Sequence, residues 1–549
     1  MEQETVLHIE GTVEQVLYRN EQNGYTVLDL DANGTLITVV GELGDVEEGE
    51  QLSVDGTYVN HIRFGVQFQA QYVERKLPED AINIQRYLSS GVIKGIGSAL
   101  AKKIVTAFGS QTLEIMEKQP TRLMEIRGIS PKKCETIAQE VQKIFALRSL
   151  MLFLQQYNIR SRYAMRAYQC YGSGAKEMIL ANPSLLCGKG IELPFEKAEL
   201  LADDLKVPKN AEQRILAGTC YILEHNTHNG YTCLPLDRLQ PKVCEYLQVS
   251  ESEFLAAYQA AQKEENLVSY QKDAREFVYL PAYYEAEQYI ADRIGVLRDF
   301  SAPEDQEIYL DLIKREETEQ GIQYAELQRK AILSALSRGL LILTGGPGTG
   351  KTTTLNGMIS LFEKQGYQVM LAAPTGRAAQ RMSDLTGYEA KTIHRLLEVE
   401  FDLAVATKFR HNESNPLTCD VMIVDEMSMV DVLLFESLLR ALRFSCKLIM
   451  VGDSDQLPSG GAGNVLKDLI DSGQVPVVAL NQIFRQAQQS CIVTNAHKII
   501  TGNYPDLQQK QSDFFLFQRL KTEDATQLIL DLVKTRLPNA YHYHPMDDI

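Results

Sequence analysis

Apolar and polar residues alternate from residue 6 to residue 75, interrupted by turn signals at Asn23-Gly24 and Asn33-Gly34. A period of two is that of half-buried strands. Runs such as Tyr25-Thr26-Val27-Leu28 and Thr35-Leu36-Ile37-Thr38-Val39-Val40 predict about five strands in a small barrel over 1–80. The pattern then lengthens to a helical one over 84–205 and stays mostly helical over 206–300, ending in a strand-like Glu276-Phe277-Val278-Tyr279-Leu280. An acidic stretch from Glu304-Asp305 to Glu317 reads as a helical linker. Beyond Gly321, short continuous apolar runs recur between helical segments: Leu340–Leu343, Val369–Ala373, Val421–Val424 and Lys447–Val451. Strands buried on both faces read this way in parallel sheets. Asp513-Phe514-Phe515-Leu516-Phe517 predicts a further strand. The pattern gives a multidomain α/β protein, with a parallel sheet covered by helices on both faces, preceded by a small β-barrel and an all-α region.

Composition changes this picture little. Apolar content of 44% and charged content of 23% are ordinary for globular protein, and no run approaches the 18 apolar residues of a membrane span. The N-terminus Met1-Glu2-Gln3-Glu4-Thr5 lacks the shape of a signal peptide. Nine scattered cysteines without a C-x-x-C pair suit a reducing cytoplasm and free thiols. His225, His228 and Cys233 lie close together, but their spacing fits no metal site and they read as loop residues.

Charge is uneven. Residues 1–85 carry 16 Asp/Glu and 4 Lys/Arg (−12), whereas 86–150 carry 5 and 11 (+6), within an overall −17. The acidic barrel region reads as a docking or structural module before a nucleic-acid site, and the basic segment as a polyanion-binding patch.

The strongest chemical signal is Gly345-Gly346-Pro347-Gly348-Thr349-Gly350-Lys351-Thr352-Thr353, which fits G-x-x-x-x-G-K-[ST] between a strand and a helix running to about Lys364. Its glycines let backbone N–H groups surround a polyphosphate at a helix N-terminus. Lys351 is expected to reach the β- and γ-phosphates of ATP, and Thr352 to ligate Mg²⁺. Gln328, sixteen residues before Thr344, offers an amide that can pair with an adenine edge. Asp425-Glu426 follows a buried strand, so Asp425 is expected to hold Mg²⁺ and Glu426 to position or deprotonate a water. The loop Pro374-Thr375-Gly376-Arg377 suits a phosphodiester backbone. Each of Ser90–Ile104 and Met124–Lys133 carries a Gly-containing turn before a basic amphipathic helix, with Gly95, Gly97 and Lys102 in one and Gly128 and Lys132 in the other. These resemble helix-hairpin-helix units, and they are read either as DNA-phosphate contacts or as packing hairpins. A poorer copy is Lys189-Gly190-Ile191, where Glu192-Leu193 replaces the second glycine.

Taken in order, Gln328, the phosphate loop, Pro374–Ala379, Thr392-Ile393-His394-Arg395, Asp425-Glu426-Met427-Ser428-Met429, Gly452–Ser459 and Ile483-Phe484-Arg485-Gln486 resemble the motifs of RecD-like superfamily 1 DNA helicases. The barrel is similar to an oligonucleotide-binding fold and 206–300 to a winged-helix module, as in that family's long form. The resemblance implies a RecA-like ATPase domain over 320–480 and the start of a second over 481–549. It implies ATP-driven 5′→3′ movement on single-stranded DNA and opening of duplex junctions. It makes Gln456 the coupler of nucleotide state to DNA, Arg485 a γ-phosphate contact, and Thr375, Arg377 and His394 contacts to the strand. It also makes the insert 398–419, with Phe401 and Phe409, a wedge; an ordinary surface loop is the other reading.

Two departures stand out. Gly460 occupies a position where the family usually has Val, and the family's later motifs would lie beyond Ile549. The expectation is therefore a chain lacking its C-terminal part, cytoplasmic and monomeric, with that missing half or DNA-repair proteins as partners. A non-motor adaptor that binds ATP and DNA is the rival reading; a P-loop transferase leaves Asp453–Ser459 and Phe484-Arg485-Gln486 without a role.

Overall fold

The computed structural model describes residues 7–20, 25–32, 34–43, 46–61, 65–78, 80–90, 92–188, 190–299, 306–400, 408–481, 490–507 and 513–546. The chain divides into two compact units. The first is Met1–Gln288 with Leu397–Asn415 and Gly461–Gly463; the second is Tyr289–Leu396, Pro416–Gly460 and Asn464–Ile549.

The first unit begins with five strands, β1 (Leu7–Arg19), β2 (Tyr25–Ala32), β3 (Thr35–Glu42), β4 (Gln51–His61) and β5 (Gly65–Lys76). They close a barrel in the order β1-β2-β3-β5-β4, with β3 and β5 the parallel pair. Alternation explains the closure: Leu28 and Leu30 of β2, Leu52 and Val54 of β4, and Phe68 of β5 all turn into one core. Gly56 sits at a register shift between β4 and β5, where an added Cβ would lie 2.1 Å from the Gln69 carbonyl oxygen. A side chain there would break the closure that removes the sheet's open edges.

Three hairpin turns follow. The first lies between the helices Ala81–Ser89 and Ser98–Phe108, the second between the 3₁₀ turn Pro120–Glu125 and the helix Pro131–Gln155, and the third between Pro183–Cys187 and the helix Phe195–Asp204. The first two share a core in which Ile93, Ile96 and Ile104 meet Ile126, Ile129 and Ile137. Ser130 caps its long helix by accepting from Lys133 N at 3.3 Å.

After the helix Glu212–Thr227, β6 (Cys233–Pro235) leads to helices Leu236–Leu247 and Glu251–Lys263, then β7 (Val268–Lys272) and β8 (Arg275–Tyr279). The order β6-β8-β7 gives a small sheet on a helical cluster. Of its strands, only β8 is evident from the residue pattern.

The second unit is built on β9 (Leu340–Gly345), β10 (Val369–Ala373) and β11 (Ala390–Thr392). The chain then returns to the first unit as a short antiparallel hairpin, β12 (Val399–Glu400) and β13 (Lys408–Phe409), with Val399 opposite Phe409. Phe401 lies outside the described residues. The sheet continues with β14 (Val421–Val424), β15 (Lys447–Gly452) and β16 (Val477–Leu480). Its order is β11-β10-β14-β15-β9-β16, with every neighbouring pair parallel. All four residues of β14 are fully buried, as a strand covered on both faces requires. On one face, Leu341 and Leu343 pack with Ile332, Met358 and Phe362 from the helices Glu326–Ser337 and Lys351–Lys364.

The strand predicted at Asp513–Phe517 is absent. That stretch is irregular, with Phe515 and Leu516 exposed, and it joins neither edge of the six-stranded sheet. Around it are the helices Cys491–Ile500 and Thr522–Asp531. No helix among the described residues is long and apolar enough to cross a membrane.

Candidate nucleotide and DNA site

Because the strands are parallel, their C-terminal ends share one edge, where α/β sheets bind ligands. Five chemistry-bearing segments arrive there: the phosphate loop after β9, Pro374-Thr375 after β10, Ile393-His394 after β11, Asp425-Glu426 after β14 and Asp453 after β15.

The phosphate loop takes its shape from two glycines with positive φ, Gly348 (76°) and Gly350 (82°), the latter capping the helix that begins at Lys351. Thr349 is buried, and its hydroxyl donates to Gly346 O at 2.8 Å. Pro347 and Gly348 are exposed at the crest; Thr352 is half-buried and Thr353 exposed. The Lys351 ammonium donates to the carbonyls of Gly345 and Gly346, the latter at 3.1 Å. It therefore lies over the loop's own backbone. Burial lowers its pKa, opposed by the charges of Asp453, Asp425 and Glu426.

At Gln328 the structure departs from the adenine-edge expectation. The residue is buried; its amide oxygen accepts from Ala325 N at 3.0 Å and its nitrogen donates to Gly350 O at 3.3 Å. The amide is committed to backbone, tying the start of the helix Glu326–Ser337 to the end of the phosphate loop. One N–H and one oxygen lone pair of the amide expected to face adenine are engaged there.

The carboxylates are held tightly. Asp425 N donates to Ala372 O across the sheet at 2.9 Å, and Asp425 Oδ1 accepts from Glu426 N at 2.8 Å. Glu426 adopts a left-handed conformation, φ 53°, that non-glycine residues rarely take. Burial raises the pKa of both groups; for Glu426 the Asp425 charge adds to the rise. Arg381 acts on Lys351, Asp425 and Glu426 alike. It lies four residues after Arg377 on the helix Gly376–Thr386 and was missed in the sequence, although an i, i+4 arginine pair on one helix face was there to be read. The donor set fits a hard divalent cation. Asp425 and the Thr352 hydroxyl could supply oxygen ligands, and half-buried carboxylates with raised pKa values are short of positive charge.

Of the DNA candidates in this unit, Arg377 and His394 are exposed, while Thr375 is half-buried, its hydroxyl accepting from Ala378 N at 3.2 Å as a helix cap. Ala373 pairs with Thr392, so the two loops carrying these residues leave neighbouring strands. Gln456 is exposed on the turn after β15, its N–H donating to Asp453 O at 3.2 Å. Arg485 lies outside the described residues.

In the first unit, Gly95 (φ 96°) and Gly128 (φ 111°) occupy equivalent turn positions closed by Ile96 N to Ile93 O and Ile129 N to Ile126 O, each 3.1 Å. Gly97 caps its helix, and Lys102 and Lys132 are exposed. The third turn has the same closure, Ile191 N to Gly188 O at 3.1 Å, but Glu192 follows it with φ 59°, putting a negative side chain where the others have Gly97 or Ser130.

Four family descriptions match parts of the chain: the OB-fold domain of ATP-dependent DNA helicase YrrC over 6–78, a SAM-like helix-hairpin-helix tandem over 86–143, the helix-hairpin-helix domain of ATP-dependent RecD2 DNA helicase over 143–233, and an AAA domain over 328–462. Among curated proteins, the ATP-dependent RecD2 DNA helicase of Deinococcus radiodurans is 28% identical over 516 residues, spanning 90% of this chain and 70% of that protein. The RecBCD enzyme subunit RecD of Mycolicibacterium smegmatis is 43% identical over 169 residues, 27% of this chain and 30% of the subunit. Among solved structures, the Pif1 helicase of Candida albicans matches 34% of this chain and 46% of its own at 25% identity, with a TM-score of 0.26.

Proposed function

We propose that the chain is a RecD-like, ATP-dependent DNA helicase, coupling hydrolysis to 5′→3′ movement on single-stranded DNA and to separation of duplex junctions. The observation that carries this reading is the convergence, at one sheet edge, of a complete phosphate loop, a carboxylate pair and two loops with exposed cationic or imidazole side chains.

In the proposed mechanism, Lys351 turns from the Gly345 and Gly346 carbonyls to the β- and γ-phosphates, exchanging two neutral acceptors for charged ones. Backbone N–H groups of Gly346–Thr353 surround the polyphosphate, and Gln328 braces the loop from behind. Thr352 and Asp425 would hold Mg²⁺, which supplies neutralisation of phosphate charge. Glu426, whose raised pKa makes it a better proton acceptor than an exposed glutamate, orients and deprotonates the attacking water. Arg485 would stabilise negative charge developing on the γ-phosphate. Gln456, on the turn anchored by Asp453, would relay nucleotide state to a DNA strand held by Thr375, Arg377 and His394. The hairpin β12–β13 would split the duplex, and the two basic helix-hairpin-helix turns would hold backbone phosphate.

The test is strand displacement on duplexes carrying either a 5′ or a 3′ single-stranded tail, with ATP turnover followed in parallel. Displacement from the 5′-tailed substrate alone is expected, lost in Lys351→Ala. DNA-stimulated turnover with no displacement from either substrate would leave an ATP- and DNA-binding adaptor instead.

A further inference from the structure

Helix Cys491–Ile500 meets the phosphate loop. A Cβ added to Gly346 would lie 3.1 Å from Cε1 and 3.5 Å from Nε2 of His497, so the imidazole edge rests against the loop where a side chain would otherwise stand. That ring nitrogen, Nε2, is buried and has no hydrogen-bond partner among the described residues. Leaving a buried polar atom without a partner is destabilising, and such atoms in native proteins call for an explanation.

The helix holds the ring in place. Ser490 caps it, accepting from Val493 N at 3.3 Å. Asn495, two residues before the histidine, is buried; it donates to Asp506 O at 3.1 Å and accepts from Asp506 N at 2.7 Å. These bonds fix the helix to the chain that follows it, so His497 is not a side chain that simply lacked better packing. Its unused nitrogen lies beside the loop whose one cation, Lys351, is folded onto the carbonyls of Gly345 and Gly346.

We propose that His497 is a nucleotide-binding residue: its Nε2–H donates to a phosphate oxygen of the triphosphate in the loop, joining the helix Cys491–Ile500 to the occupancy of that site. The inference rests on the loop's being an ATP site, as proposed above. It adds a contact from a segment outside the phosphate loop and the carboxylate motif. When Lys351 leaves the Gly346 carbonyl for phosphate, the loop and the imidazole engage the same anion, and a helix 146 residues downstream in sequence (497 − 351) senses whether the loop is filled.

Three substitutions separate hydrogen bonding from packing. His497→Phe keeps a flat ring against Gly346 and loses the donor. His497→Gln keeps an N–H at about the reach of Nε2, and His497→Ala removes both. Affinity for ATP and ADP is measured on the full chain by displacement of a fluorescent nucleotide, with thermal unfolding of each variant without nucleotide as a check on folding. His497→Phe and His497→Ala are expected to weaken ATP binding about tenfold, and His497→Gln to stay within about twofold of the parent, the difference one hydrogen bond to a charged acceptor makes. Parent-like affinity in His497→Phe overturns the inference and makes the histidine a packing residue. Lys351→Ala is run beside them: if it too binds ATP normally, the site reading fails, and if it alone loses binding, only the role of His497 fails.

Discussion

The side-chain nitrogen of Gln328 donates to the backbone carbonyl of Gly350 at 3.3 Å, so the residue expected to read the base holds the phosphate loop instead. Its oxygen is engaged as well, by Ala325 N. Gln328→Ala removes a helix-start bond and a loop brace together. We expect a loss of about 1 kcal/mol in stability, the usual scale for a cap, and weakened binding of ATP and GTP by similar factors. Calorimetric titration with both nucleotides checks this; a loss confined to ATP would return Gln328 to the adenine edge.

Lys351 sits in a half-buried site that lowers its pKa, and among the described residues its ammonium donates to two neutral carbonyls. Lys351→Ala should therefore leave thermal stability nearly unchanged while removing the phosphate contact. Steady-state phosphate release with and without single-stranded DNA should fall at least about 10²-fold, the scale for loss of one preorganised charge-stabilising group. Turnover at the parent rate would show that the loop is not the hydrolytic site.

Burial and the Asp425 charge raise the pKa of Glu426. An acid whose folded pKa exceeds its unfolded one contributes stability at pH values below the unfolded pKa, and that contribution is lost as pH rises through the folded value. At neutral pH the ionised Glu426 therefore destabilises its unit. Glu426→Gln should unfold at higher temperature than the parent at pH 7.5, the gap closing as pH falls towards 4.5, while hydrolysis is lost at both. Thermal scans at the two pH values decide the matter; a gap that widens on acidification contradicts the burial argument.

Period and motif spacing made much of this legible. The buried runs at Leu340 and Val421 and the loop between Gly345 and Thr352 each state their structure locally, through continuous apolar strands and obligate glycines. β11 and β16 were not legible, since Ala390-Lys391-Thr392 has no strand pattern of its own and exists by pairing with β10. The brace made by Gln328 and the approach of His497 to Gly346 depend on which elements the sheet brings together. Asp513–Phe517 shows the converse: a strand-like sequence stays irregular where it does not pair with a strand.

The two basic hairpin turns give the last prediction. Gly95 and Gly128 both have positive φ, and the space around Gly128 is open, so the glycines are set by backbone conformation and not by crowding. Lys102 and Lys132 are exposed beside them, as side chains that meet a phosphate backbone must be, whereas the third turn carries Glu192. If the turns hold DNA phosphate without reading bases, Lys102→Ala and Lys132→Ala should each weaken binding to unrelated duplex sequences equally, and each should flatten the slope of log affinity against log salt by about one. Gly95→Ala and Gly128→Ala should strain the turns and cost about 1 kcal/mol or more in stability. Fluorescence anisotropy across a salt series, on two duplexes of different sequence, measures both quantities. An unchanged salt slope in the double lysine variant would make these hairpins packing elements, and would leave DNA contact to the ATPase unit alone.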